Sequence, residues 1–206
     1  MLKSALAVFA LAASVLAGAA HAQTGPSDKL KTAIFAGGCF WCVEEVFDKV
    51  EGVVETTSGY TGGIQPNPTY EQVSTNTTGH AGAVRVKYDP ARVTFAQLLE
   101  AFWHNVDPFD AGGQFCDRGS SYRSAIFVMD DEEEKLAKDS KEKVAAQFKR
   151  EIATEIVRAT PFYLAEGYHQ DYYTKNPLRY TFYKWNCGRA QRLEEIWGKK
   201  QASGAQ

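Results

Sequence analysis

Apolar positions along this chain alternate between two periods, and their order predicts a sheet covered by helices. Residues 32–36 form a short apolar run that reads as a strand. Val43, Val46, Phe47 and Val50 then recur at helical spacing, so a helix runs from Phe40 to about Val50. Residues 53–60 read as a second strand. Gly62, Gly63, Pro66 and Pro68 make residues 60–69 a loop. Residues 83–88 alternate apolar with polar, as a half-buried strand does, and Asp89-Pro90 ends them. Thr94-Phe95-Ala96-Gln97 has the capping-box form and leads into Leu98, Leu99, Phe102 and Val106 at helical spacing.

Residues 107–119 read as a glycine-rich loop, 124–129 as a strand, and 130 to about 150 as a helix. Asp131, Glu132, Glu133 and Glu134 complement the dipole at the start of that helix. Asp131–Lys135, Glu134–Lys138 and Asp139–Lys143 have the spacing of stabilising pairs, so the charge run reads as a solvated face. A strand over 154–159, an aromatic-rich irregular stretch over 162–188 and a short helix over 189–197 complete the pattern. Such alternation predicts an α+β two-layer sandwich, with a long irregular C-terminal segment wrapping the core.

The first residues change the compartment. Lys3 precedes an apolar stretch, residues 5–16, that is too short to cross a bilayer, and Ala20-His21-Ala22 has the small-x-small form of a signal-peptidase site. Residues 1–22 therefore read as a cleavable signal cut after Ala22, which predicts a periplasmic or secreted protein with one domain over 23–206. Without Lys3, 22 basic side chains face 25 acidic ones. No basic block stands out, which argues against nucleic acid or a membrane surface as partner.

Candidate chemistry concentrates in Gly37-Gly38-Cys39-Phe40-Trp41-Cys42. This run falls where the first strand turns into the first helix. A thiol there faces the helix dipole and unpaired backbone N–H groups, which predicts a pKa lowered from about 8.5 into roughly 3.5–7.5. Paired glycines allow a sharp turn, and two aromatics offer an apolar wall. Cys39 thus reads as a nucleophile. Cys42 reads either as its resolving partner or as a small core residue on the face of Val46. Cys116, in a loop, reads as structural or spare. Cys187, in Asn186-Cys187-Gly188, reads as a resolving cysteine on a mobile segment. His80, His104 and His169 lack the close ligand spacing of a zinc site, so no metal or other cofactor is expected. His80 or His169 could act as base in a Cys-His hydrolase, although nothing local supports that. A thioredoxin-like disulfide exchanger using Cys39 and Cys42, with Thr160-Pro161 near the motif, is the strongest rival by pattern.

The chain also resembles a known family. Gly37-Gly38-Cys39-Phe40-Trp41 is similar to the signature of peptide methionine sulfoxide reductases of the A type. The likeness continues through Gly59-Tyr60-Thr61-Gly62-Gly63, Pro66-Asn67-Pro68-Thr69-Tyr70, Gln114-Phe115-Cys116-Asp117, Tyr122-Arg123-Ser124 and Lys175-Asn176-Pro177, over about residues 31–198. The resemblance implies an α/β roll around a mixed sheet. It makes Cys39 the nucleophile, and Phe40 and Trp41 the wall holding the substrate's S-methyl group. Tyr70 and Tyr122 would bond the sulfoxide oxygen, and Asp117 would orient the site. Cys187 would resolve the Cys39 sulfenic acid into an intramolecular disulfide, recycled by a thioredoxin-like donor. The implied substrate is the S epimer of methionine sulfoxide, free or in oxidised proteins; a monomer is expected. One position departs. The family usually has Gly-His-Ala-Glu where this chain has Gly79-His80-Ala81-Gly82. That glutamate is the expected acid for the sulfoxide oxygen. Gly82 therefore leaves open impaired turnover, or a module that binds oxidised methionine without reducing it.

Overall fold

The computed structural model describes residues 30–198, so the expected signal over 1–22 lies outside the described residues. Eight strands and seven α-helices follow one another: β1 (Lys31–Gly37), α1 (Phe40–Asp48), β2 (Val53–Thr61), α2 (Tyr70–Ser74), β3 (Ala81–Tyr88), α3 (Phe95–Trp103), β4 (Gly113–Gln114), β5 (Asp117–Arg118), β6 (Ser124–Val128), α4 (Asp131–Phe148), β7 (Glu155–Arg158), β8 (Tyr163–Leu164), α5 (Tyr172–Lys175), α6 (Pro177–Asn186) and α7 (Arg189–Trp197).

Six strands form one sheet in the order β7-β6-β1-β3-β2-β8. All neighbours are antiparallel except β6 and β7, which makes the sheet mixed. β1 lies centrally, with Phe35 opposite Val84 of β3 and Ile126 of β6. The main core lies between the sheet and helices α1, α3 and α4. Phe35 stacks there on Phe47 at 4.8 Å and on Phe102 at 5.3 Å between centroids. Truncating so buried an aromatic typically costs about 3–5 kcal/mol. A smaller cluster of Ile34, Ala36, Ala81, Ala83, Ala125 and Phe127 fills the other face under Val157, Ala159 and Phe162. The two-layer α+β expectation and the mixed sheet hold.

Four details differ from the sequence reading, the first being that residues 107–119, expected as a loop, hold the paired strands β4 and β5. Residues 162–188 are not irregular: they hold edge strand β8 and helices α5 and α6. Their periodicity is weak because α6 buries only Tyr180, while Leu178, Phe182 and Trp185 are exposed. Pro177, with its preset φ, begins that helix. The loop before residue 70 ends in α2, capped by Thr69 and Gln72 in a reciprocal box. On α4, Glu134 pairs with Lys138 as expected, but Lys135 turns to Asp139, and Asp131 is taken by Arg158 at the end of β7.

Candidate active site

Cys39 occupies the N-cap of α1, with an extended backbone at φ −61° and ψ 112°. Its carbonyl accepts the N–H of Cys42 at 3.0 Å and of Val43 at 3.2 Å, closing the first turn. Gly38 makes this entry. Its φ is +84°, and a β-carbon there would lie 2.5 Å from Cβ of the buried Gln114. Gln114 in turn clamps the main chain of Asp107, accepting from its N–H and donating to its carbonyl, each at 2.8 Å.

A cavity of about 250 Å³ opens beside Cys39. It is lined by Gly38, Cys39, Phe40, Trp41, Tyr60, Tyr70, Val73, Ser74, Gly82, Asp117, Ser121, Tyr122 and Tyr183. Every predicted site residue except Cys187 therefore faces one space, whose size suits a side chain rather than a drug-sized ligand. Tyr122, on a 3₁₀ turn, hydrogen-bonds Tyr70, on α2, so two hydroxyls converge. Burial, then Tyr70, pushes the Tyr122 phenol up, which keeps it a proton donor. Glu166 anchors this group: its carboxylate accepts the Tyr60 hydroxyl at 2.7 Å and the Tyr70 backbone N–H at 2.9 Å. Gly82 lies on β3 opposite Tyr60. The atoms nearest to a β-carbon there would be Phe40 at 3.6 Å and the carbonyl oxygens of Gly38 and Ser121 at 3.8 Å, all ordinary contacts.

The thiol electrostatics correct one expectation. Cys39 and Cys42 are both buried, free and hydrogen-bonded to each other. Burial pushes the Cys39 thiol up, Cys42 adds to this, and Asp117 adds less; the Tyr183 hydroxyl opposes them. Cys42 is drawn down to about 6 by the hydrogen bond from Cys39 and, against its burial, by Arg189, Tyr180 and Lys184. The contact between the two thiols thus favours ionisation of Cys42 over that of Cys39. The helix N-terminus alone does not make Cys39 a resting thiolate, because burial opposes the charge and a second thiol competes for it.

Cys187 lies elsewhere than expected. It is the C-cap of α6, and it is joined to Cys116 in a disulfide with a Cα separation of 4.9 Å. Cys116 belongs to the Phe115-Cys116 turn joining β4 to β5, where Phe115 takes φ +55°. The bridge present is therefore Cys116–Cys187 and not Cys39–Cys187, and Cys116 is no spare thiol. Asp117, next to Cys116, accepts the Tyr183 hydroxyl. Burial raises the Asp117 carboxyl, against Tyr183 and Arg189. Tyr183 thus joins the nucleophile to the disulfide side of the site.

Among the described residues no histidine is placed as a base for Cys39. His80 accepts the Gly63 N–H at Nδ1 and, as the complementary tautomer, donates from Nε2 to the Gln65 carbonyl at 2.7 Å. His169 accepts from Trp41. His104 caps α3 and packs edge-on to Trp197. The thioredoxin-like rival meets a mostly antiparallel six-stranded sheet, and among the described residues no peptide bond is cis.

Sequence reading missed Tyr183, Arg189, Glu166 and Gln114. The spacing of Tyr180, Tyr183 and Cys187 at i, i+3 and i+7 was the available signal for one helical face. For Glu166 and Arg189 there was none.

The sequence pattern of the family described as peptide methionine sulfoxide reductase matches residues 31–201. The chain belongs to the peptide methionine sulfoxide reductase family. A peptide methionine sulfoxide reductase MsrA of Bacillus licheniformis is 51% identical over 176 residues, covering 84% of this chain and 97% of that protein. An MsrA 2 of Caulobacter vibrioides is 47% identical over 193 residues, covering 94% and 97%. Among solved structures, reduced Mxr1 of Saccharomyces cerevisiae matches with a TM-score of 0.70 at 32% identity, covering 73% of this chain and 87% of that one. Methionine sulfoxide reductase A of Corynebacterium diphtheriae matches with a TM-score of 0.66 at 36% identity, covering 73% and 76%.

Proposed function

We propose that this protein reduces the S epimer of methionine sulfoxide, free or in proteins, with Cys39 as the nucleophile. The observation that carries the reading is the convergence on one cavity of a helix-capping thiol, the Phe40–Trp41 wall and the hydroxyls of Tyr70 and Tyr122. The substrate methyl lies against Phe40 and Trp41, and its oxygen accepts from the two tyrosines. Only one hand of the sulfoxide then turns sulfur toward Cys39. As Cys39 attacks, its proton passes to Cys42 across their hydrogen bond, and the oxygen draws a proton from within the cavity. Methionine leaves, and Cys39 becomes sulfenic acid, the first reversible step of cysteine oxidation.

The oxidising equivalent then moves to Cys187, whose disulfide with the exposed Cys116 is presented to a thioredoxin-like dithiol donor. We read the protein as an exported monomer. Lys3, the apolar run over 5–16 and Ala20-His21-Ala22 support export. Among the described residues no helix is long and apolar enough to cross a membrane. An exported enzyme needs a donor in its own compartment, since thiols there are kept oxidised.

The test supplies separated S and R epimers of a small methionine sulfoxide, with a dithiol reductant, to mature protein. Methionine from the S epimer alone, lost in Cys39→Ser, is the expected result. Binding without product would instead make the protein a reader of oxidised methionine.

A further inference from the structure

The two sulfurs of the Cys116–Cys187 disulfide lie beside a carboxylate, and in the reduced protein all three groups can ligate a metal. We propose that the reduced protein holds a divalent ion of the zinc class on Cys116, Asp117 and Cys187, and that closing the disulfide expels it. The site goes beyond sulfoxide reduction and requires only that the disulfide be open.

The fold builds the donor set. One ligand atom from each of Cys116, Asp117 and Cys187 lies within 4.8 Å of the others, and among the described residues no other three cysteine, histidine or acidic groups gather so. Oδ1 of Asp117 is 3.9 Å from the Cys116 sulfur. Tetrahedral zinc, with bonds of about 2.3 Å to sulfur and 2.0–2.2 Å to oxygen, puts such a pair about 3.6 Å apart and two sulfurs about 3.8 Å apart. Opening the disulfide lets the sulfurs reach that spacing by side-chain rotation. Their α-carbons, 4.9 Å apart, are set by the β4–β5 turn and the end of α6. The other carboxylate oxygen, Oδ2, accepts the Tyr183 hydroxyl. Carboxylates that bind metals are themselves hydrogen-bonded in this way, which fixes the oxygen that faces the ion. Cys116 is exposed, so an ion can enter and water can fill a fourth position.

Two thiolates with one carboxylate suit zinc better than magnesium or calcium, which take oxygen ligands. The inner pair is the poorer site. Cys39 and Cys42 are buried among Trp41, Tyr180 and Tyr183, with no third such donor gathered beside them. No zinc spacing is visible along the chain, because Cys116 and Cys187 are 71 residues apart.

The exchange balances. A thioredoxin-like dithiol reduces the disulfide and becomes a disulfide itself, leaving thiols on Cys116 and Cys187. The ion displaces their two protons. When the Cys39 sulfenic acid oxidises the outer pair, the net result is a sulfur–sulfur bond, a Cys39 thiol and water. Two protons then come from solvent, and the ion, left with Asp117 alone, departs. While held, the ion covers both outer thiols, so zinc inhibits recycling.

The experiment titrates Co²⁺, a spectroscopic substitute for zinc, into anaerobic protein reduced with a phosphine and then freed of it. A thiolate-to-cobalt charge-transfer band should saturate at one ion per chain and vanish when Zn²⁺ is added. Cys42→Ala should bind as wild type does. Cys187→Ser and Asp117→Asn should each weaken binding by more than the roughly 10–100-fold typical of losing an outer partner. In a second measurement, Zn²⁺ should protect Cys116 and Cys187 of reduced wild type from iodoacetamide, read peptide by peptide by mass spectrometry. Binding kept in Cys187→Ser, or lost in Cys42→Ala, would place the ion on the inner pair and overturn the proposal. Unchanged affinity in Asp117→Asn would leave a bare dithiol and overturn it as well. So would the absence of the band or of zinc protection in wild type, results that depend on no variant folding.

Discussion

Trp41 donates its indole N–H to Nδ1 of His169, 128 residues away, at 3.1 Å. The bond holds one wall of the cavity to the segment after β8, and stacking of Tyr172 on Trp41 at 3.8 Å holds its outer face. It also selects the His169 tautomer: Nδ1 accepts, so the proton sits on Nε2, which is buried with no hydrogen-bond partner among the described residues. Burial lowers the His169 pKa, against Glu166, and so keeps the ring neutral. Replacing this acceptor, as in His169→Leu, leaves the indole N–H unpaired, at a cost of about 1–3 kcal/mol. With Trp41 proposed to hold the methyl group and not the oxygen, KM should rise by up to about tenfold with little change in kcat. Steady-state kinetics on methionine S-sulfoxide, at saturating reductant, separates the two.

Gly82→Glu should raise the rate of the first turnover. The site accepts a β-carbon without displacing its neighbours, and a carboxyl there would lie among Phe40, Tyr60 and Tyr122 beside the sulfoxide oxygen. Burial would keep it protonated near neutral pH. General-acid help is typically about 10²–10⁴-fold, so a gain of roughly tenfold or more is expected in rapid-quench measurements. An unchanged or slower first turnover would mean that another acid, such as Tyr122, already does the work.

Tyr183→Phe removes the hydroxyl that Asp117 accepts and that lowers the Cys39 pKa. The Cys39 thiol should therefore titrate higher, and its alkylation by iodoacetamide should shift to higher pH. Hydrogen bonds to charged groups contribute about 1.5–3 kcal/mol, so the first-turnover rate at pH 7 should fall by roughly tenfold or more. A pH profile superimposable on wild type would show that the hydroxyl serves Asp117 alone.

Glu44 is a buried carboxyl on α1 that accepts the Asp171 N–H at 3.0 Å. Burial, with Asp48 and Asp171 nearby, raises its pKa from 4.5 to about 7. Between those values the folded state binds more protons than the unfolded one. Stability from this group is therefore intact below pH 4.5 and falls as pH rises through 7. Glu44→Gln keeps an acceptor and removes the charge. It should be more stable than wild type at pH 8, by up to about 3 kcal/mol, with the gain vanishing near pH 4.5. Urea unfolding at the two pH values reads this directly, and an equal difference at both would exclude titration as the cause.

Strand and helix order was legible where burial follows a clean period. Residues 32–36, 83–88 and 95–106 alternate or repeat because each buries one face against the same core, and the structure returns them as β1, β3 and α3, with α3 ending at Trp103, before Val106. Cys39, Phe40 and Trp41 were legible for another reason: a thiol, its glycine turn and its wall are neighbours in the chain, and local geometry alone sets the N-cap. Tyr70, Gly82, Asp117 and Tyr122 came from resemblance, since no spacing along the chain brings them to Cys39. Only the tertiary structure decided the rest. α6 hides its helical period because its apolar side chains are mostly exposed. The pairing of Cys116 with Cys187, 71 residues apart, depends on where that helix ends against the β4–β5 turn. The lowered Cys42 pKa is set first by the hydrogen bond from Cys39 and then by Arg189 and Lys184, which arrive from α7 and α6. Long-range electrostatics and loop closure have no period, so a sequence carries them only as residues whose partners are not yet visible.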